Sequence, residues 1–118
     1  MKELVAIIQM NKMEATKDAL ASIGIPSITV HRVTGRGKQR GLRILNPSQV
    51  TAPDQMKMKY IPKRMLSIIV KDCDMERVVK TIIEVNQTGQ IGDGRIFVIP
   101  IDNAIRVRTE EEGEMALG

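Results

Sequence analysis

The sequence predicts an α+β domain: an antiparallel sheet with two helices on one face, in the order β-α-β, long connection, β-α-β. Three observations predict it. Apolar, β-branched runs recur at Leu4–Met10, Ser27–Val33, Met65–Asp72 and Arg95–Ile101. Stretches with helical spacing of apolar residues separate the first run from the second and the third from the fourth. Between the two halves, from about Gly35 to Tyr60, neither period is present. This is the split βαβ, or ferredoxin-like, pattern βαββαβ. At 118 residues the chain is one domain with a single core.

"LVAIIQM", Leu4–Met10, is almost unbroken in its apolarity and suits a central strand buried on both faces. Asn11 can cap the helix that follows, in which Met13, Thr16, Leu20 and Ile23 recur at helical spacing. Gly24 supplies its stop, and Pro26 forbids continuation. "SITVHRV", Ser27–Val33, alternates and gives the second strand. The long connection holds Pro47 and Pro53 among many polar residues, and a segment of that length is expected to be functional or disordered. "MLSIIVKD" is the third strand. Asp72 or Asp74 can cap a second helix, whose stripe is Met75, Val78, Val79, Ile82 and Ile83. Thr88-Gly89 ends it, and "RIFVIPI" is the last long strand. "AIRVRT" reads as a short extended piece and "EEEGEMALG" as an acidic tail with no core to join. The domain is therefore drawn at 1–108 and the tail at 109–118. With helices on one face and strands apolar on both, the second face calls for a partner, so a homo-oligomer with packed sheets is expected.

Eighteen Lys+Arg against fourteen Asp+Glu leave a net charge of +4, which favours an anionic ligand or partner without by itself meaning nucleic acid. Cys73 is the sole cysteine, so no intramolecular disulfide forms and a reducing compartment is expected. The N-terminus lacks a signal-peptide layout, and no apolar run approaches the ~18 residues of a membrane span. A cytoplasmic protein without membrane insertion is the expectation. His31 is the sole histidine, and nothing suggests a base beside it or beside Cys73. His31 is read as a solvent-facing strand residue and Cys73 as inert. The chain is not read as an enzyme.

Two segments carry chemistry. "TGQIGDGRIFVIP", Thr88–Pro100, offers Gly89, Gly92 and Gly94 with Arg95 adjacent; "TGRGKQRG", Thr34–Gly41, offers Gly35 and Gly37 with Lys38. Glycine lets backbone N–H groups approach an anion and adopt the positive φ of an anion-binding nest. Arg106 and Arg108, two apart in an extended segment, would project from one face. Arginine binds phosphate bidentately, and lysine adds a point charge. Neither segment fits the GxGxxG or P-loop spacing. Spacing alone leaves phosphate binding level with tight turns and solvated arginines.

The same residues resemble a known family. "TGQIGDGRIFVIP" followed by "AIRVRT" is similar to the C-terminal signature of the PII nitrogen-regulatory signal proteins, TGxIGDGKIFV and then R-x-R-T-G. "GRGKQRG" resembles the start of their long T-loop, here about 36–60. "IPKRMLSIIV" resembles the strand after it, and "MKELVAIIQ" the family's start. The resemblance implies a trimer with ATP or ADP in clefts between neighbours. By position, Gly35, Gly37, Lys38 and Gln39 would line one side of the nucleotide, with Gly92, Asp93, Gly94 and Arg95 near its phosphates. Arg106 and Arg108 would reach across from the neighbour, and Thr29 and Ile69 would lie by base and ribose. Gln39 would also ligate a Mg²⁺ bridging the triphosphate and 2-oxoglutarate, whose distal carboxylate Lys63 would pair. "YIPKRMLSIIV", "VNQTGQIGDG" and "PIDNAIRVRT" are most similar to the archaeal branch encoded beside nitrogenase genes, specifically the second member of that pair, which implies nitrogenase as target. A regulator of glutamine synthetase or of an ammonium transporter is the alternative within the family, and a heteromer with a paralogous chain stays open.

Departures from the pattern are definite. Arg95 replaces a lysine, Ser67 stands where many members have glutamate, and "RTEEEG" replaces "RTGE", so the C-terminal turn is expected to differ. The T-loop is longer than in bacterial members and lacks the tyrosine some of them modify, with Tyr60 at its base and Ser48 as a lone candidate phosphosite. An RNA-binding domain shares the element order, and Arg36, Lys38, Arg40, Arg43, Lys57 and Lys59 face Asp54 alone in the loop. That rival needs aromatics on the sheet, and Phe97 and Tyr60 are the only aromatic residues.

Overall fold

A computed structural model describes residues 1–35 and 61–118. Four strands, β1 (Lys2–Gln9), β2 (Thr29–Gly35), β3 (Ile61–Val70) and β4 (Arg95–Pro100), form one antiparallel sheet in the order β2-β3-β1-β4. Helices α1 (Met13–Ser22) and α2 (Met75–Asn86) follow β1 and β3. This is the βαββαβ architecture that the sequence predicts.

Alternation along the strands decides which side is the core. Leu4, Ala6 and Ile8 of β1 and Leu66, Ile68 and Val70 of β3 are buried together with Leu20 of α1 and Val78 and Ile82 of α2. A polar brace ties the helices together. The buried Asn86 amide donates to Thr16 Oγ1 at 3.0 Å and to the Ile82 carbonyl, while Thr16 donates back to the Lys12 carbonyl. Gly24, at φ 87°, ends α1 in the left-handed conformation glycine adopts cheaply.

The alternate positions line the opposite face. Val5, Ile7 and Met65 are half-buried there, and Ile69, Phe97 and Ile99 are 38–47% exposed. β1 is central, yet within one chain it is buried on its helix face alone. The apolar open face is the surface for which the sequence asks a partner.

Local chemistry differs from expectation at four places. Neither helix has a side-chain N-cap, because a short 3₁₀ turn precedes each: Met10–Lys12 contains Asn11, and Asp72–Asp74 contains both aspartates. Asp72 pairs instead with the Met1 amino group and Asp74 with Arg77. β2 begins at Thr29 rather than Ser27, since Ile28 turns inward to pack on the core. "AIRVRT" is not extended: after Ile105 the chain turns through Val107–Thr109 and comes back, with the Arg106 N–H donating to the Glu111 carbonyl at 2.9 Å.

Candidate functional site

The topology gathers particular loops at each end of the sheet. β1 leaves, β2 ends, β3 begins and β4 begins at one end, where Gln9 pairs with Lys63, Gly35 with Ile61 and Ile7 with Arg95. The 87–94 loop and the 36–60 connection therefore depart from the same end, the glycine end. The other end holds Lys2 beside Val70 and Pro100, with Thr29 and Ile69 nearby; the 101–118 segment leaves there, Ile101 bonding back to the Met1 carbonyl. We refer to it as the tail end.

At the glycine end, Gly89, Gly92 and Gly94 have φ of 83°, 106° and 110°. Gly94 has a second constraint: a Cβ there would lie 1.9 Å from the Ile7 carbonyl oxygen. Asp93 braces the loop from within. Its carboxylate accepts the Thr88 hydroxyl and the N–H groups of Thr88 (2.7 Å) and Gly89 (2.9 Å). The Thr88 side-chain and backbone hydrogen bonds hold its carboxyl below the usual 3.8, outweighing a desolvation that pushes the other way. The loop is tied to the sheet through one carbonyl. Gly92 O accepts from Lys63 Nζ at 2.8 Å and from Gln9 Nε2 at 3.1 Å. Lys63 is buried, 9% exposed, with its stem 4.0 Å from where a Gly35 Cβ would be. Arg95 is exposed.

Of the expected site residues, Gly35, Lys63, Gly92, Asp93, Gly94 and Arg95 thus lie together. Asp93 acts as the turn brace. Gly37, Lys38 and Gln39 lie outside the described residues, as do Ser48 and Tyr60. Gln9 is a loop partner the sequence reading passes over; its signal is an amide closing an apolar strand beside a glycine loop.

Thr29 and Ile69 lie on the open face at the tail end, Thr29 opposite Ser67 and Ile69 opposite Glu3. Ser67 donates to Glu3 Oε2 at 2.6 Å, so a carboxylate stands beside Ser67 although position 67 itself lacks one. Ile69 is six residues along β3 from Lys63, roughly 20 Å at strand rise. Arg106 and Arg108 do not share the face of a strand, because the chain turns through Val107–Thr109, which includes Arg108. Arg106 is half-buried and hydrogen-bonded within the C-terminal segment, while Arg108 is exposed. His31 and Cys73 are exposed. Among the described residues no group of three His, Cys, Asp or Glu side chains could hold a metal ion, and no helix is long and apolar enough to cross a membrane.

The profile of the family described as "Nitrogen regulatory protein P-II" matches residues 1–111. The chain belongs to that family. This P-II chain is similar to "Nitrogen fixation nifHD1 region GlnB-like protein 2" of Methanosarcina barkeri, 52% identical over 99% of each chain. It is 49% identical to the nifHD region GlnB-like protein 2 of Methanothermobacter marburgensis, over 99% of this chain and all of the relative. Among solved structures, the crystal structure of Arabidopsis thaliana PII bound to citrate superposes with a TM-score of 0.76 at 36% identity, covering 98% of this chain and 88% of that one. The relatives bear out the resemblance to the nif-region branch, and the matched structure bears out the fold.

Proposed function

We propose that this P-II protein senses nitrogen status by binding ATP or ADP and 2-oxoglutarate between copies of itself, and regulates nitrogenase through residues 36–60. Membership of a nitrogen regulatory family and the nif-region names of its relatives support the coarse part of this reading. The observation that carries the finer part is the separation of the two residue groups. Gly92–Arg95 with Lys63 lie at one end of the strands, and Thr29, Ile69 and the segment bearing Arg106 and Arg108 at the other. One small ligand meets both groups only when the glycine end of one copy abuts the tail end of the next. A head-to-tail contact of this kind closes into a ring when the rotation between copies permits, and the trimer is the ring that membership of the family supports. The apolar open face fits the same assembly, since packing sheets toward a common axis covers it.

The glycine end fits an anion. Positive-φ glycines are the backbone conformation of anion-binding nests, and an arginine stands beside them, although the Gly89 N–H is itself taken by Asp93. The Gln39 amide oxygen would be the chain's own ligand to Mg²⁺, a hard cation that takes oxygen donors and would supply positive charge for an anionic ligand. Lys63 would meet the distal carboxylate of 2-oxoglutarate. The 36–60 connection springs from the site between Gly35 and Ile61, so a ligand that prefers one arrangement of Gln39 biases the whole loop. Binding and release of a target follow, and the chain itself performs no catalysis. Cytoplasmic location and homotrimeric assembly belong to this proposal.

Calorimetry tests it. Gln39→Ala should lose 2-oxoglutarate binding while keeping ADP; unchanged 2-oxoglutarate affinity contradicts the assignment. Capture from a nitrogen-fixing lysate, with and without 2-oxoglutarate, should recover nitrogenase only without it; recovery of glutamine synthetase or a transporter instead selects the other family branch.

A further inference from the structure

We propose that residues 110–118 are an internal competitor for the anion at the tail end: they hold Arg106, and nucleotide phosphate must displace them to bind. The proposal rests on the nucleotide reading above. Arg106 is engaged on both terminal nitrogens. Nη1 donates to Glu111 Oε1 at 2.9 Å, and Nη2 donates to the backbone oxygens of Met115 (3.0 Å) and Gly118 (2.7 Å). These are the fork positions with which a guanidinium grips phosphate. Glu111 therefore stands in for one phosphate oxygen, and the two backbone oxygens for others.

The hairpin is built to hold this contact and also to yield it. Backbone bonds run from the Arg106 N–H to Glu111 O, from the Glu110 N–H to Arg106 O (2.7 Å) and from the Gly113 N–H to Ala104 O (2.9 Å). Asn103 reinforces them, donating to Glu112 and accepting from the N–H groups of Ala104 and Gly113. Yet Glu110 sits at φ 61°, where a side chain is strained. Its apolar residues are nowhere fully buried either: Ile105, Val107 and Met115 are 62%, 94% and 68% exposed, and Ala104, Ala116 and Leu117 are half-buried. A segment with few buried apolar contacts opens at small cost. The Arg106–Glu111 pair is partly exposed, with side chains 24% and 34% accessible, and such a pair is weak against a multiply charged phosphate. Arg108 makes no ion pair with any described residue, so it can meet the anion first while Arg106 waits behind the latch.

A ligand opens the latch only by binding the open state better. Glu111→Gln keeps the shape and removes the charge, so ATP should bind about 3- to 10-fold tighter while adenosine, lacking phosphate, is unaffected. In the full-length chain, saturating ATP should speed cleavage by a glutamate-specific protease within Glu110–Glu114, and adenosine should not. Equal ATP affinity of the two chains, or a cleavage rate that ATP leaves unchanged, overturns the latch alone. Absence of ATP binding by either chain overturns the nucleotide reading as well.

Discussion

The 88–94 loop and the 104–118 hairpin face the same physical demand and meet it in opposite ways. Each turns the backbone through positive φ and each has a cation at hand, Arg95 directly after the loop and Arg106 and Arg108 within the hairpin. In the loop every positive-φ position is glycine, the bracing carboxylate is internal, and a buried amine and an amide clamp one carbonyl. In the hairpin the positive-φ positions are Gly113 and Glu110, the second carrying a side chain, and Arg106 is engaged by the chain's own oxygens. On the proposed reading the loop needs no rearrangement to bind, which is the advantage of preorganisation. The hairpin must first let go. A site assembled as proposed, from one ready half and one occupied half, would respond to the strength of its ligand, and the occupied half is where a control can be placed.

The largest effect expected of this contrast is at Gly94. Gly94→Ala adds a Cβ 1.9 Å from the Ile7 oxygen at a φ of 110°, so either β4 shifts from β1 or the loop breaks; a loss of about 3 kcal/mol or more is expected from urea unfolding. A loss below about 1 kcal/mol would mean the loop is not locked. Lys63→Met removes a charge-assisted bond to Gly92 O and should cost about 1.5–3 kcal/mol by the same assay. Glu110→Gly relieves the hairpin's backbone strain but adds freedom to the unfolded chain. The net is a gain of about 0.5 kcal/mol, and a clear loss would contradict the strain. The smallest effect is a pH dependence at Asp93. Its folded pKa lies below 3.8, so its bracing is complete above that value and is lost as pH falls through the lowered one. The Thr88 and Gly89 amide resonances should move only on that acid side, and Asp93→Asn should abolish the movement.

The strands and helices were legible because their periods are strong. Leu4, Ala6 and Ile8 alternate against the helices, and Thr16, Leu20, Val78 and Ile82 recur at helical spacing on the buried side. Helix starts were not legible, because Asn11, Asp72 and Asp74 are good caps that the chain uses in 3₁₀ turns and ion pairs instead. The glycine loop could be read from its residues, since positive φ and close approach leave little choice at Gly94. The C-terminal segment could not. Alternation in "AIRVRT" suggests a strand, but the glutamates that follow offer Arg106 a carboxylate and fold the chain back. Gln9 escaped notice for a similar reason, since only the sheet register brings it to Gly92.

If two copies complete each site, mixing two crippled chains restores binding. Arg95→Glu disables the glycine end, and Arg106→Ala with Arg108→Ala disables the tail end; each oligomer alone should bind ATP about 100-fold or more weakly. In a co-assembled mixture, each site draws one half from each of two copies, so about a quarter of the sites should regain full affinity in calorimetry. A mixture that recovers none would mean that one copy supplies both halves, contrary to the geometry described here.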